Sequence, residues 1–325
     1  MEFLIKISKE NISFSINEIK ALFNCEIKIL NEDYIKINIK KNQIKYFYRL
    51  ALSKKILRLI FYCDEKDLIN KLKNKNYYKY YIKNFSLRKE GKTKFKEKEL
   101  ALIVHENLKN KIINQNIKAN LKNSLTKFEL IFINNKAYFC LNIYENKDNY
   151  NLRKAHNRPE HHPSSLNPRL GKACINLTGI KKGKIYDVFC GSGGILIEAG
   201  LMNLKPIGYD IDKIMLNRSK INLDYFNIKN YELKLNDALK LNKKINYIVS
   251  DLPYGRNTKQ KNTQKLYNDF FKVLSKILVK KAVIISPDYI NFNDKKYNNL
   301  ILEKEFSIRI HKSLTRKIRL ISNSN

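Results

Sequence analysis

From residue 184 onward the chain alternates short β-branched runs with helical stretches, and several of the runs end in a carboxylate. "KIYDVF" leads into "GGILIEAGLMN", and "KPIGYD" into "IDKIMLNRSKINLDYF". Then come "YELKLN", "NYIVSD", "TQKLYNDFFKVLSKILV" and "KAVIIS". Strands that alternate with crossover helices give an α/β fold with a doubly wound parallel sheet. "EFSIRI" and "RKIRLIS" read as a closing hairpin. Ligands of such sheets bind beyond the carboxyl ends of the strands, so the residues at those ends carry the functional reading.

The first strand end is "DVFCGSGG", 187 to 194. Gly191 and Gly193 allow tight turns and close ligand approach, and the loop opens onto a helix N-terminus that favours polar or anionic groups. It is not a dinucleotide fingerprint, because Leu196 stands where GxGxxG needs glycine, and no GK[ST] follows for a P-loop. Asp210 ends the next strand and can accept both hydroxyls of a ribose. Asp237, in "NDA", ends the one after and can face an adenine amino group. Alone, each aspartate reads as a helix cap; three in step at successive strand ends read as a nucleoside site.

The fourth strand ends in "SDLPYGRNTKQ". The carboxylate, stiff proline and aromatic ring resemble the (D/N)PP(Y/F) motif of amino-methyltransferases, and the resemblance implies as acceptor an exocyclic amine on a base, whose lone pair is conjugated into the ring. Asp251 and the Leu252 carbonyl can accept its two N–H groups, Pro253 fixes the turn, and Tyr254 can stack on the base. In-line transfer of a group to that amine then rests on positioning and electrostatics, with Asp251 able to take the released proton.

The N-terminal half is a different texture. "EFLIKIS" and "DYIKINI" alternate as strands, and "SINEIKALFN" reads as a helix with Ser15 as N-cap and Glu18 completing a capping box. "KNQIKYFYRLALSKKILRLI" has the spacing of one long helix. Further on, "YYIKNFSLRK" reads as a strand and "KEKELALIVHENLKNKI" as a helix, and "KFELIFIN" and "KAYFCLNIYE" flank Asn134 and Asn135 as a hairpin. The stretch 147–168, rich in Pro, Asn, His and Ser, reads as loop or linker. The expected division is 1–62 and 63–146 as two α+β domains, 147–168 as linker, and 169–325 as the α/β domain.

Composition narrows the partners. A formal net charge of +34 suggests a polyanion, although a chain this rich in Lys, Asn and Ile carries the bias of A/T-rich codons. "KLKNKNYYKYYIKNFSLRK", 71 to 89, interleaves Lys and Arg with Tyr, a pattern for phosphate contact and base stacking. Lys79, Arg88, Lys89, Arg158 and Arg256 are the expected RNA contacts. A solvated strand face with core tyrosines is the plainer account of 71–89. Five scattered cysteines without a CxxC pair read as reduced core thiols. His161 and His162 lack a third ligand, and no metal is expected. No apolar run is long enough to span a bilayer, and the start reads as neither signal nor transit peptide, so a cytoplasmic protein is expected.

The strand-end residues resemble those of class I S-adenosylmethionine-dependent methyltransferases, and "DLPY" resembles the (D/N)PP(Y/F) motif of amino-methyltransferases, with Leu252 in place of the first proline. The resemblance implies S-adenosylmethionine as cofactor. Asp187, Phe189, Gly191 and Gly193 would lie at its methionine part, Asp210 and Ile211 at the ribose, and Asp237 and Ala238 at the adenine. "RPEHHPSSLNPRLGKACINLTG", "RIHKSLTRKI" and "DLPYGRNTK" resemble THUMP-linked guanine N2-methyltransferases of tRNA, in particular the archaeal branch acting at guanosine 10. Glu160 and His161 depart from expected aromatics, and Gly171 and Lys172 from Ala-Arg. The N-terminal half resembles the ferredoxin-like plus THUMP arrangement in architecture and length. The implied function is mono- and dimethylation of the guanine N2 amine by a monomer, with a small helper subunit left open. The same chemistry at another guanosine of tRNA or ribosomal RNA is the alternative. A DNA adenine or protein glutamine amino-methyltransferase, or a non-catalytic RNA-binding module, stands further off.

Overall fold

Eight strands from the first 146 residues form one sheet in the order β2-β3-β1-β4-β8-β7-β5-β6. They are β1 (Glu2–Ile7), β2 (Ile27–Ile29), β3 (Tyr34–Asn38), β4 (Ser53–Asp64), β5 (Asn84–Glu90), β6 (Lys118–Ala119), β7 (Thr126–Ile133) and β8 (Lys136–Glu145). The computed structural model describes the chain apart from residues 113–115, 163–164, 255–259, 298, 312–313 and 325. The chain folds into two compact units. The first is Met1–Ile12, Cys25–Tyr48 and Ser53–Asn146; the second is Ser13–Asn24, Arg49–Leu52 and Lys147–Asn325.

Three local readings are corrected. The long helix expected over 41–60 is a 3-10 helix, Lys41–Arg49, followed by strand β4. Its Ile and Leu residues fit either period, and antiparallel pairing with β1 and β8 buries Ile56 and Leu57 in the sheet. Helix α1 (Ile12–Phe23) starts before Ser15, which lies buried inside it. Glu18 caps no helix of its own: its buried carboxylate accepts from the amides of Ala51 (2.8 Å) and Leu52 (2.9 Å) and from Asn176 Nδ2 (2.8 Å). Helix α1 thereby belongs to the second unit. The third concerns the division at 62/63. Strand β4 runs across it, with β1 on one side and β8 on the other, so 1–62 and 63–146 share one sheet.

In the first unit, helices α2 (Leu68–Asn74) and α3 (Glu97–Lys111) supply Leu68, Leu72, Leu100, Val104 and Leu108 to a core with Tyr77, Phe85, Phe128 and Phe139. Phe128 and Phe139 stack at 5.0 Å between centroids. Each such buried aromatic contributes about 2–3 kcal/mol. The β7–β8 hairpin turns at Asn134 and Asn135, both at positive φ (49° and 59°), as a two-residue turn requires.

The second unit orders its strands β11-β10-β9-β12-β13-β15-β14. These are β9 (Lys184–Asp187), β10 (Lys205–Asp210), β11 (Glu232–Leu235), β12 (Ile245–Asp251), β13 (Leu278–Pro287), β14 (Leu300–His311) and β15 (Leu314–Asn323). The first five are parallel, and β15 and β14 add on antiparallel. Helices α4 (Pro168–Leu177), α5 (Gly194–Leu201), α6 (Lys213–Tyr225) and α7 (Gln260–Ile277) accompany them. Ile248 and Val249, successive on β12, enter two different cores, as a strand buried on both faces must. With ten glycines in the chain, asparagine takes the left-handed positions after helices: Asn24, Asn203 and Asn227 follow α1, α5 and α6 at φ 48°, 59° and 56°. The strand order reverses between β9 and β12, the topological switch point where ligands bind.

The segment 147–168, expected as linker, packs into the second unit. Arg153 pairs with Glu198 (2.6 Å) and Asp148 (2.9 Å), and Lys172 with Asp148 (3.0 Å). No described helix is long and apolar enough to cross a membrane.

Candidate active site

The loop after β9 is built for close approach. Gly191 and Gly193 sit at φ 50° and 83°. At Gly193 a Cβ would lie 2.5 Å from Ser219 Oγ, so the position admits glycine on two counts; at Gly191 it would meet nothing within 4 Å. The loop is therefore closed beneath Gly193 and open above Gly191. Asp187 supports it from below. Its carboxylate is 2% exposed and accepts from Ser250 Oγ (2.8 Å) and the Phe189 amide (3.3 Å), while Ser250 Oγ accepts from the Val188 amide at 2.9 Å. Burial pushes its pKa up to about 8, against the pull of those hydrogen bonds. Phe189 packs edge-on against Phe270 at 5.1 Å.

Asp210 ties the loop to the next strand. One carboxylate oxygen accepts from the Gly191 amide (2.8 Å) and the other from the Asp212 amide (3.0 Å). The Asp210 carbonyl accepts from the Asn236 amide at 3.0 Å, which draws the end of β11 alongside. Ile211 is 73% exposed beside it. Asp237 caps a short 3-10 helix through the Leu239 amide (2.9 Å), and Ala238 is buried. An open glycine loop, a helix N-terminus, two strand-end carboxylates and an exposed aliphatic side chain fit an adenosyl group with an amino-acid tail.

Asp251 ends β12, in register with Ile285 of β13. Burial raises its pKa to about 6, while Arg316 and the Tyr254 hydroxyl pull it down. Tyr254 Oη donates to Asp251 Oδ1 at 2.5 Å, Arg316 Nε donates to Tyr254 Oη at 2.5 Å, and Arg316 Nη2 lies 3.3 Å from Asp251 Oδ2. Tyr289 Oη donates to the Tyr254 carbonyl at 2.7 Å, and Tyr267 Oη to the Leu252 carbonyl at 3.3 Å. Leu252 is buried and Pro253 exposed. The four residues of the motif thus form a turn held at both carbonyls, with a carboxylate at its base. The sequence reading does not single out Arg316, Tyr267 or Tyr289.

Comparison with known proteins follows the same line. A family model described as "RMKL-like, methyltransferase domain" matches residues 155–318. A curated tRNA (guanine(10)-N2)-dimethyltransferase of Methanothermobacter thermautotrophicus is 31% identical over 286 residues, 84% of this chain and 83% of that protein. The chain belongs to the tRNA (guanine(10)-N2)-dimethyltransferase family. The Pyrococcus abyssi protein of that name is 29% identical over 92% of this methyltransferase and 93% of its own length. The crystal structure of TrmN from Thermus thermophilus aligns with a TM-score of 0.52 at 15% identity, over 99% of this chain and all of that one, a likeness of fold. A DNA methylase model also matches, over residues 12–220, a span that ends before Asp251.

The expected RNA contacts of this methyltransferase divide. Lys79 is exposed beside Tyr80, its ammonium 5.4 Å from the ring centroid. Arg88 is exposed and pairs with Glu97 at 3.1 Å, and the Lys89 amide donates to the same carboxylate. Tyr77 is core, its hydroxyl donating to the Leu72 carbonyl. Arg158 is a correction. It is 5% exposed, its Nε donates to the Arg153 carbonyl at 2.7 Å, and its guanidinium packs against Gly194, so it braces the glycine loop instead of meeting RNA. Burial lowers its pKa to about 10. Arg256 lies outside the described residues. His161 is exposed and His162 half-buried, and no group of three metal-ligating side chains occurs among the described residues.

Proposed function

We propose that this methyltransferase transfers methyl groups from S-adenosylmethionine to the N2 amine of guanosine 10 in tRNA, adding one and then a second. The observation that carries the reading is the Asp251–Tyr254 turn at the end of β12, in a chain that shares 31% identity over most of its length with a protein named for that reaction. S-adenosylmethionine supplies an electrophilic methyl group when bound. Gly191, Gly193, Asp210, Ile211 and Asp237 would hold it, with Asp187 and Phe189 beneath the loop.

The chain's own residues then make the amine a nucleophile. Asp251 Oδ and the Leu252 carbonyl accept its two N–H groups, which draws the lone pair out of conjugation and aims it. The Leu252 carbonyl keeps a second lone pair beside the one engaged by Tyr267. As the lone pair forms the N–C bond, the carbon–sulfur electrons stay with sulfur and one amine proton passes to Asp251. With a pKa of about 6, Asp251 is ionised at neutral pH yet basic enough to accept it. Positioning of this kind is worth several kcal/mol of barrier.

The N-terminal unit is assigned to RNA binding as a ferredoxin-like and THUMP region, with Lys79, Arg88 and Lys89 toward phosphates. Support comes from the +34 charge and the interleaved tyrosines. The guanosine would be flipped from its stem, at a cost of a few kcal/mol offset by stacking on Tyr254 and by phosphate contacts. The test is transfer of labelled methyl to an unmodified tRNA transcript, beside one with adenosine at position 10. Signal on the first alone supports the reading; equal signal moves the target elsewhere in the tRNA; no signal on either overturns it.

A further inference from the structure

We propose that Arg316 is a positioning residue of the methyl-acceptor site, bridging Asp251 and Tyr254 so that the carboxylate points at the amine and the ring is fixed for the base. The inference rests on the function proposed above and deepens it. Arg316 lies on β15 opposite Pro287 of β13, two residues beyond Ile285, which pairs with both Asp251 and Ile318. That register brings a long side chain from the closing hairpin to the mouth of the catalytic strand. The residue is 5% exposed.

Three relations meet on one guanidinium. Nε donates to Tyr254 Oη at 2.5 Å, Nη2 faces Asp251 Oδ2 at 3.3 Å, and the central carbon stands 5.3 Å from the Tyr254 ring centroid. A planar fork can serve a hydroxyl and a carboxylate together; an ammonium is a single point. Tyr254 is fixed at two places: its hydroxyl by Arg316 and Asp251, and its backbone carbonyl by Tyr289. An ion pair whose sole purpose was to bury the hairpin would not need Tyr254 between its partners.

The charge on Arg316 also bears on the reaction. Arg316 is the one cation acting appreciably on Asp251 among the described residues; Tyr254 donates to it, and Tyr267, Cys174 and Asp187 lie within reach of its charge. Burial pushes the carboxylate up and Arg316 holds it down. Without that cation Asp251 would stay protonated into the neutral range, and a protonated carboxyl has one acceptor fewer for the amine.

The experiment compares Arg316→Met and Arg316→Lys with the wild type in kcat/KM against pH on a tRNA transcript, with binding of S-adenosylhomocysteine and of tRNA measured in parallel. For Arg316→Met, kcat should fall about 100-fold, as for a reacting group displaced by about 1 Å. Its acid limb should move up by about one pH unit, as for loss of an adjacent opposite charge. Both affinities should stay within a few-fold of wild type. Arg316→Lys should restore the limb but not the full kcat. An unmoved limb in Arg316→Met, or a loss of S-adenosylhomocysteine affinity in step with kcat, would reduce Arg316 to a brace of the hairpin. If Arg316→Met does not fold, Tyr254→Phe replaces it. That variant removes the bridging hydroxyl and keeps the ring, and an unchanged kcat there overturns the proposal equally. A wild type that methylates no guanosine 10 refutes the function itself and is told apart by the first control.

Discussion

Glu129 in the N-terminal unit and Asp251 in the C-terminal unit are both largely buried carboxylates on strands, and they differ in what surrounds them. Glu129 sits mid-strand on β7 and accepts from Lys55 at 3.0 and 3.1 Å and from Asn142 at 2.6 Å. Asp251 sits at the end of its strand with a tyrosine hydroxyl on one oxygen and a guanidinium at 3.3 Å from the other. Its neighbour Asp187, on the adjoining strand, is buried with a pKa of about 8. The first unit surrounds its carboxylate with donors and uses it to join β4, β7 and β8. The second keeps two acids at a switch point under burial that disfavours their charge. Unfavourable burial concentrated at strand ends marks chemistry, whereas satisfied burial inside a sheet marks architecture.

Substitutions at each place should separate the two roles. Asp251→Asn should lower methyl transfer about 1,000-fold, within the range for removing a proton acceptor or an electrostatic contact, and leave the melting temperature nearly unchanged. In the wild type the rate should fall as pH drops through about 6, because protonation of Asp251 removes its acceptor charge; a profile flat down to pH 5 would exclude that role. Gly193→Ala is next. The left-handed φ of 83° and the 2.5 Å approach to Ser219 Oγ strain any side chain there. A cost of about 1–2 kcal/mol should appear as roughly tenfold weaker binding of S-adenosylhomocysteine by calorimetry. Gly191→Ala, which meets open space, should lose less.

In the N-terminal unit Lys55→Met should behave oppositely to Asp251→Asn. It removes a half-exposed partner of buried Glu129 and should cost about 1–2 kcal/mol in urea unfolding, discounted for exposure, with the turnover per folded molecule unchanged. A fall in turnover would break the comparison. The smallest effect is expected for Lys79→Ala: a few-fold weaker tRNA binding with a salt slope reduced by about one, as for one lost phosphate contact.

The strand-end groups were legible because residue type and place in a β–α alternation are local properties. Gly191, Gly193, Asp210, Asp237 and Asp251 all fall where an alternating pattern breaks, and the structure links Gly191, Asp210 and the end of β11 by hydrogen bonds. What was not legible depends on partners distant in sequence. Arg316 comes to Asp251 only through the β13–β15 register. Glu18 looked like a local cap, but it accepts from amides 33 and 34 residues away. Residues 41–60 carry apolar spacing that serves a helix or a strand, and from Ser53 onward pairing with β1 and β8 decides for strand. Arg158 lies in a stretch whose Pro, Asn and His content reads as surface, yet the segment folds in beneath α5. Charged residues in such a stretch give no local sign of burial.

The proposed activity is one reaction at one atom, the N2 amine of guanosine 10. Nuclease digestion and mass spectrometry of a tRNA transcript, after incubation with S-adenosylmethionine and either the wild type or Asp251→Asn, tests it most directly. The predicted result is N2-methylguanosine and N2,N2-dimethylguanosine in the fragment holding position 10 with the wild type, and unmodified guanosine there with the variant. Methyl groups on an adenine, or equal modification by both proteins, would contradict it.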